Sequence, residues 1–287
     1  MPNKKKLPVA DTDPLHLRAI RLALNGSYRF SKRLAGQWCY RVLAKPPRKI
    51  LLPAEKDFLA DARQQVIPVG IMQIQTYHWP GSGPKILLAH GWNSNSGRWQ
   101  ALASQLIIAG YDVYALDAPA HGASVGGSFA VIYYGNVLAE LADTLRPEVI
   151  IGHSAGGMAA AYYLKHYPEV HHPEKLVLLS TPAELNHFME SFRKGIGLKK
   201  AVIDAMEMGF TQRFGMSFDY FSIAKFVRNL RMPGLIIHDE KDDVAPVHGA
   251  YQMAENWPNS ELVITSGLGH SIQHEQVRKR ILDWLAY

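Results

Sequence analysis

The chain has 287 residues, 47% of them hydrophobic, 20% charged and 10% aromatic, which is enough apolar material for one large core and excludes wholesale disorder. The formal net charge of +6 is gathered in the first fifty residues, where Asp11 and Asp13 are the only acids, so it excludes reading the whole molecule as a nucleic-acid binder. Cys39 is the single cysteine, which excludes an intrachain disulfide and a cysteine-based zinc site.

The opening MPNKKKLPVADTDP carries a basic cluster without the apolar run of a secretory signal. No stretch of about eighteen apolar residues is present to span a membrane. The expectation is a soluble, cytoplasmic protein. From Pro14 to Ala44 apolar residues recur at helical spacing among arginines and lysines. Asn25-Gly26-Ser27 is predicted to split the stretch into two helices, and Lys45-Pro46-Pro47-Arg48 to end it. Two readings of these basic, amphipathic helices stay open. They pack on the core and bury Tyr28, Trp38 and Tyr40, or they make peripheral contact with an anionic membrane surface; packing is the expectation. A short helix is predicted next, over Ala54–Ala62.

The period then changes. Val66–Val69 and Ile71–Tyr77 alternate as strands around a turn at Gly70. Beyond them come short apolar runs at Ile86–Ala89, Val113–Leu116, Val149–Ile151, Leu176–Leu179, Leu235–Ile237 and Leu262–Ile264, suited to strands buried on both faces of a parallel sheet. Helix-length segments such as Gly97–Ala109, Val131–Thr144 and Gly156–His166 lie between them. The alternation predicts a doubly wound, mostly parallel α/β sheet. Residues 183–232 break it, with helical pattern, many Phe and Met, and no strand. They are expected to form a helical lid, its Phe and Met either lining an apolar pocket or packing the lid down.

The chemistry concentrates at Gly152-His153-Ser154-Ala155-Gly156, read as strand, sharp turn, helix. A nucleophile at such an apex needs a strained backbone and almost no side chain two residues away on either side, which Gly152 and Gly156 provide. Serine is a poor nucleophile unless a base sits within hydrogen-bond reach. His270, on the loop leaving the last strand, is the candidate base, with His274 as fallback. Asp239, Asp242 and Asp243 compete for the orienting acid at the C-terminal edge of Leu235–Ile237, where ligand crevices of open α/β sheets lie. An oxyanion site needs two backbone N–H groups, assigned to Ala155 and, in the loop His90-Gly91-Trp92-Asn93, to Trp92. His166, His171 and His172 lack a clear ligand spacing and are read as surface residues, so no metal is expected.

Together with Asp117-Ala118-Pro119-Ala120-His121-Gly122, these motifs resemble the α/β-hydrolase family over Gln65–Tyr287, closest to bacterial esterases and lipases with a helical lid. Residues 1–64 then stand as an extension and 65–287 as the hydrolase domain. The resemblance implies the order Ser, Asp, His and selects Asp242, four residues before Pro246. His238-Asp239 departs from the His-Gly common in the family at that loop. The resemblance further implies a cofactor-free carboxylic-ester or thioester hydrolase acting on a small to medium, apolar substrate through Ser154, His270 and Asp242. Carbon–carbon hydrolase, acyltransferase and cofactor-free peroxidase use the same residues, and a non-enzymatic small-molecule-binding protein on this fold is the rival from another class. Serine at the apex argues against the dehalogenases and epoxide hydrolases, which use a carboxylate there.

Overall fold

The computed structural model describes residues 15–46 and 49–287; the basic cluster at the start and the Pro47-Arg48 pair lie outside them. Eight strands form one sheet: β1 (Arg63–Val69), β2 (Met72–Trp79), β3 (Lys85–Ala89), β4 (Asp112–Leu116), β5 (Val149–His153), β6 (Lys175–Leu179), β7 (Gly234–Asp239) and β8 (Ser260–Thr265). Their order is β1-β2-β4-β3-β5-β6-β7-β8. The two contacts made by β2 are antiparallel and all the others parallel. The predicted mostly parallel α/β sheet is therefore the observed one.

The apolar runs have a direct physical reason. Alternate residues of a strand point to opposite faces, so Leu87 and Ala89 enter one core while Ile86 and Leu88 enter the other. One face is covered by α5 (Val131–Leu145), α6 (Ala155–His166) and α10 (His248–Asn256). The other is covered by α4 (Gln100–Ile108), α11 (Glu275–Leu285) and the short α3 (Pro53–Ala60). The outer strand β1 has a largely exposed face, which is why it reads as alternating rather than continuous.

Residues 183–232 fold as helices, chiefly α7 (Leu185–Ile196), α8 (Lys200–Phe214) and α9 (Ile223–Phe226). Their only strand-like feature among the described residues is an isolated bridge between Glu184 and Ser222. The Phe and Met richness is mostly packing: Met189, Met206, Phe210, Phe218 and Phe221 are buried in the core of this face.

The N-terminal segment forms α1 (Leu15–Ser27) and α2 (Lys32–Ala44). The break lies one turn later than expected. α1 runs through Asn25 and Gly26, and the chain turns at Tyr28–Ser31, where the Ser31 hydroxyl accepts the Leu34 N–H and caps α2. A single glycine costs a helix only about 1 kcal/mol, and the Asn25 side chain compensates by bonding Gly197 O and Lys199 N between α7 and α8. Ala35, Gly36, Cys39 and Ala44 bury the inner face of α2. Burial without a partner lifts the Cys39 thiol to about 12, so it stays protonated and inert. Tyr28 and Tyr40 are half-buried, but Trp38 is 44% exposed, so the expected burial of all three rings does not hold. α2 has room for one inner face only, and Trp38 lies off it.

Gly36 sets the approach of α2 to α8, since a Cβ there would lie 2.3 Å from Ala205 O. Gly36→Ala is expected to push the two helices apart and lower stability by about 1–3 kcal/mol, measured by urea unfolding. An unchanged midpoint would mean that the contact is not tight.

Candidate active site

β5 ends at His153, and Ser154 turns the chain into α6 with φ +53 and ψ −120. A left-handed conformation in a non-glycine residue costs on the order of 1–3 kcal/mol, so the surroundings must hold it. The Ser154 N–H donates to Leu179 O at 2.9 Å. A Cβ at Gly156 would sit 2.1 Å from Ala89 O, and one at Gly152 would meet the Gly157 backbone at 2.6 Å. Both glycines are needed for close approach, as the sequence suggested.

The turn lifts Ser154 Oγ to 2.9 Å from His270 Nε2. On the other side of the ring, Nδ1 lies 2.8 Å from Asp242 Oδ2 and 3.0 Å from Oδ1. Asp242 is itself oriented, because Oδ1 accepts the N–H groups of Val244 and Ala245. The structure thus brings the three residues into one hydrogen-bonded relay, in which Asp242 fixes Nδ1–H and leaves Nε2 free to accept from the serine. The competing acids are elsewhere. Asp239 ties β7 to the loop after β8, accepting from Thr265, Gly267, Leu268 and Lys241. Burial raises its pKa, but bonds such as those from Leu268 and Thr265 outweigh it and hold the carboxyl at about 2. Asp243 lines the adjoining cavity. His274 accepts from Gln276 N–H and caps α11.

The loop His90-Gly91-Trp92-Asn93 leaves the end of β3. Asn93 N–H is taken by His121 Nε2 at 3.0 Å, while no hydrogen bond among the described residues engages the N–H of Trp92 or of Ala155. The paired motifs turn out to be the loop's support. His90 donates from Nδ1 to Gly91 O and accepts the Ala118 N–H at Nε2; His121 donates from Nδ1 to Pro119 O. Asp117 receives the Ser96 N–H and hydroxyl, the Tyr77 hydroxyl and the Ala123 N–H.

Two residues not singled out from the sequence steady the His270 loop. His153 Nε2 donates to His270 O at 2.9 Å, and Arg98 Nη2 to Ser271 O at 3.1 Å. Burial lowers Arg98 to about 9, so its guanidinium stays charged at neutral pH. Of the cavity wall, the sequence pointed to the lid Phe residues but not to the N-terminal segment. A cavity of about 860 Å³ opens over Ser154 and His270, lined by Trp92, Phe188 and Phe192, and by Ile20, Val42 and Lys45 of the N-terminal segment. The Trp92 indole donates to Leu43 O, which fastens α2 to the loop after β3. No sequence motif marks a helix as the wall of a distant pocket. His166, His171 and His172 bond to the carbonyls of Tyr162, Pro147 and Tyr167.

Burial holds both His90 and His121 at about 3, below their ordinary 6.5. Between those values the unfolded chain binds the protons that the folded chain refuses. Their contribution to stability is therefore complete above pH 6.5 and is lost as pH falls toward 3. Each is expected to cost the fold roughly 2–3 kcal/mol at pH 4.5 relative to pH 7.5. Denaturant melts across that range check this, and a His121→Gln variant should show a shallower loss.

The similarities to known proteins fit this geometry. A family model described as serine aminopeptidase, S33, matches residues 83–208, a stretch that includes Ser154. A serine hydrolase-like protein of Danio rerio is 33% identical over 140 residues, 45% of this chain and 42% of that one. A monoacylglycerol lipase of Mycolicibacterium smegmatis is 24% identical over 264 residues, 75% of this chain and 92% of that one. Among solved structures, the Pyrococcus furiosus esterase Pf2001 superposes with a TM-score of 0.64 at 20% identity, covering 85% of this chain and 97% of its own. Sheet order, the turn at Ser154 and these likenesses agree: the chain has the α/β-hydrolase fold and is similar to esterases and lipases built on it.

Proposed function

We propose that the protein cleaves carboxylic esters or thioesters of apolar acyl groups through an acyl-enzyme on Ser154. The observation that carries this reading is the Ser154–His270–Asp242 relay at the floor of an apolar cavity. As Ser154 Oγ bonds to the ester carbonyl carbon, His270 Nε2 takes its proton. The negative oxygen is held by the N–H groups of Trp92 and Ala155. His270 passes the proton to the leaving oxygen or sulfur as that bond breaks. Water then attacks the acyl carbon, its proton goes to Nε2 and on to Ser154 Oγ, and the acid departs. Asp242 keeps the imidazole in the tautomer this requires and stabilises its cation.

Phe188, Phe192, Ile196, Ile20 and Val42 give the cavity apolar walls, which favours an acyl or alcohol chain over a sugar or a peptide. The name of the Mycolicibacterium relative, a monoacylglycerol lipase, supports an ester with an aliphatic acyl chain.

On p-nitrophenyl acetate, butyrate, octanoate and palmitate, kcat/KM is expected to rise from acetate to octanoate. Ser154→Ala should lower kcat by on the order of 10⁴–10⁶. A wild type inert on all four, or a variant as active as the wild type, would sink the proposal. Arg98→Met frees the Ser271 carbonyl and lets the base drift. It should lower kcat by about 10–100-fold with KM little changed, alongside a melting curve close to wild type; an equal kcat would remove Arg98 as a positioning residue.

A further inference from the structure

We infer that the outward face of α1 and α2 docks the protein on an anionic lipid bilayer. The inner face of this pair is spent on packing, yet the outer face is not polar. Phe30 is 91% exposed, Leu22 72%, Leu34 48% and Trp38 44%. Leu34 and Trp38 are one turn apart on α2, and Arg41 continues the same stripe at i+3 from Trp38. Arg18, Arg29, Lys32, Arg33, Arg41 and Lys45 are exposed. From Pro14 to Ala54 the sequence holds no acid at all. None of Arg29, Lys32, Arg33 or Arg41 joins an ion pair among the described residues.

Aromatic and aliphatic tips standing among unpaired cations fit a bilayer surface. The rings and Leu side chains enter the headgroup boundary while the cations meet anionic lipid phosphates. A polyanion such as nucleic acid would use the cations but would leave Phe30 and Leu34 in water. A protein partner would need acids matched to the arginines and would have no preference for a lipid composition. Among the described residues no helix is long and apolar enough to cross a membrane, so the contact is peripheral. The same two helices supply Ile20 and Val42 to the cavity over Ser154, which puts the docked face next to the route into the site.

The test is a binding measurement and does not depend on the proposed chemistry. The full chain carrying Ser154→Ala, so that no lipid ester is consumed, is mixed with sucrose-loaded vesicles and sedimented. Vesicles are either pure phosphatidylcholine or contain about 30% phosphatidylglycerol. Binding is expected to the anionic vesicles at low salt, about tenfold weaker at 0.5 M NaCl, and weak or nil to phosphatidylcholine. Replacing Phe30, Leu34 and Trp38 together by Ser, and separately making Arg33→Glu with Arg41→Glu, should each weaken it about tenfold. All five side chains are exposed, and circular dichroism melts report whether the fold is kept. No binding at low salt, equal binding to both vesicles, or binding indifferent to loss of the three apolar side chains would each overturn the inference; the last would mark a general polyanion site instead.

Discussion

The site depends on a steric constraint at the strand-to-helix turn of Ser154. The residue must hold φ +53, and the helix after it must lie so close to β3 that a methyl group at Gly156 would strike Ala89 O. That approach puts the start of α6 beside the loop leaving β3. It brings the N–H groups of Ala155 and Trp92, neither engaged among the described residues, to the same end of the sheet as Ser154 Oγ and the histidine. Of the five other non-glycine residues with positive φ among the described residues, Asn93, Ala120, Ser180 and Ile272 follow the C-terminal ends of strands, and Arg146 caps α5. Strain gathers mostly at the edge of the sheet that carries Ser154, and the packed strands below hold it there.

Around this turn the protein uses neutral, buried imidazoles as braces. His90 and His121 each donate through one ring nitrogen and accept a backbone N–H through the other. A protonated ring has no acceptor, so the arrangement requires the neutral form, and burial enforces it. His153 is also pushed well below its ordinary value, by burial and by the charges of Arg98 and His270, while its Nε2 holds the backbone of His270. Of the histidines around this turn, His270 is the one whose ring nitrogen faces Ser154 Oγ.

The N-terminal helices and the lid form one roof. α2 lies against α8, its Leu43 carbonyl takes the Trp92 indole, and its Ala44 carbonyl takes the Phe129 N–H. The segment expected to pack on the core does so, walls the cavity and steadies the loop after β3. Its two faces divide the work. Small residues of α2 and Leu24 of α1 turn inward, where helix must approach helix, while Leu22, Phe30, Leu34, Trp38 and most of the basic residues turn to solvent.

Local patterns in the sequence determined a good deal of this. The strand runs, the glycines about Ser154, and the loops bearing His270 and Asp242 were legible because each is a short stretch whose backbone demands particular residue types. Asp242 was separated from Asp239 and Asp243 by family likeness; the structure adds that its carboxylate faces the imidazole, while that of Asp239 is used up by four donors. What the tertiary structure alone decided is which distant surfaces meet. The fastening of Arg98 to Ser271, the wall made by Ile20 and Val42, the exposure of Trp38 and the role of most lid Phe and Met as packing all depend on contacts between residues far apart in the chain. Helical periodicity marks a face as apolar but does not name what covers it, and that is settled only when the other elements have taken their places.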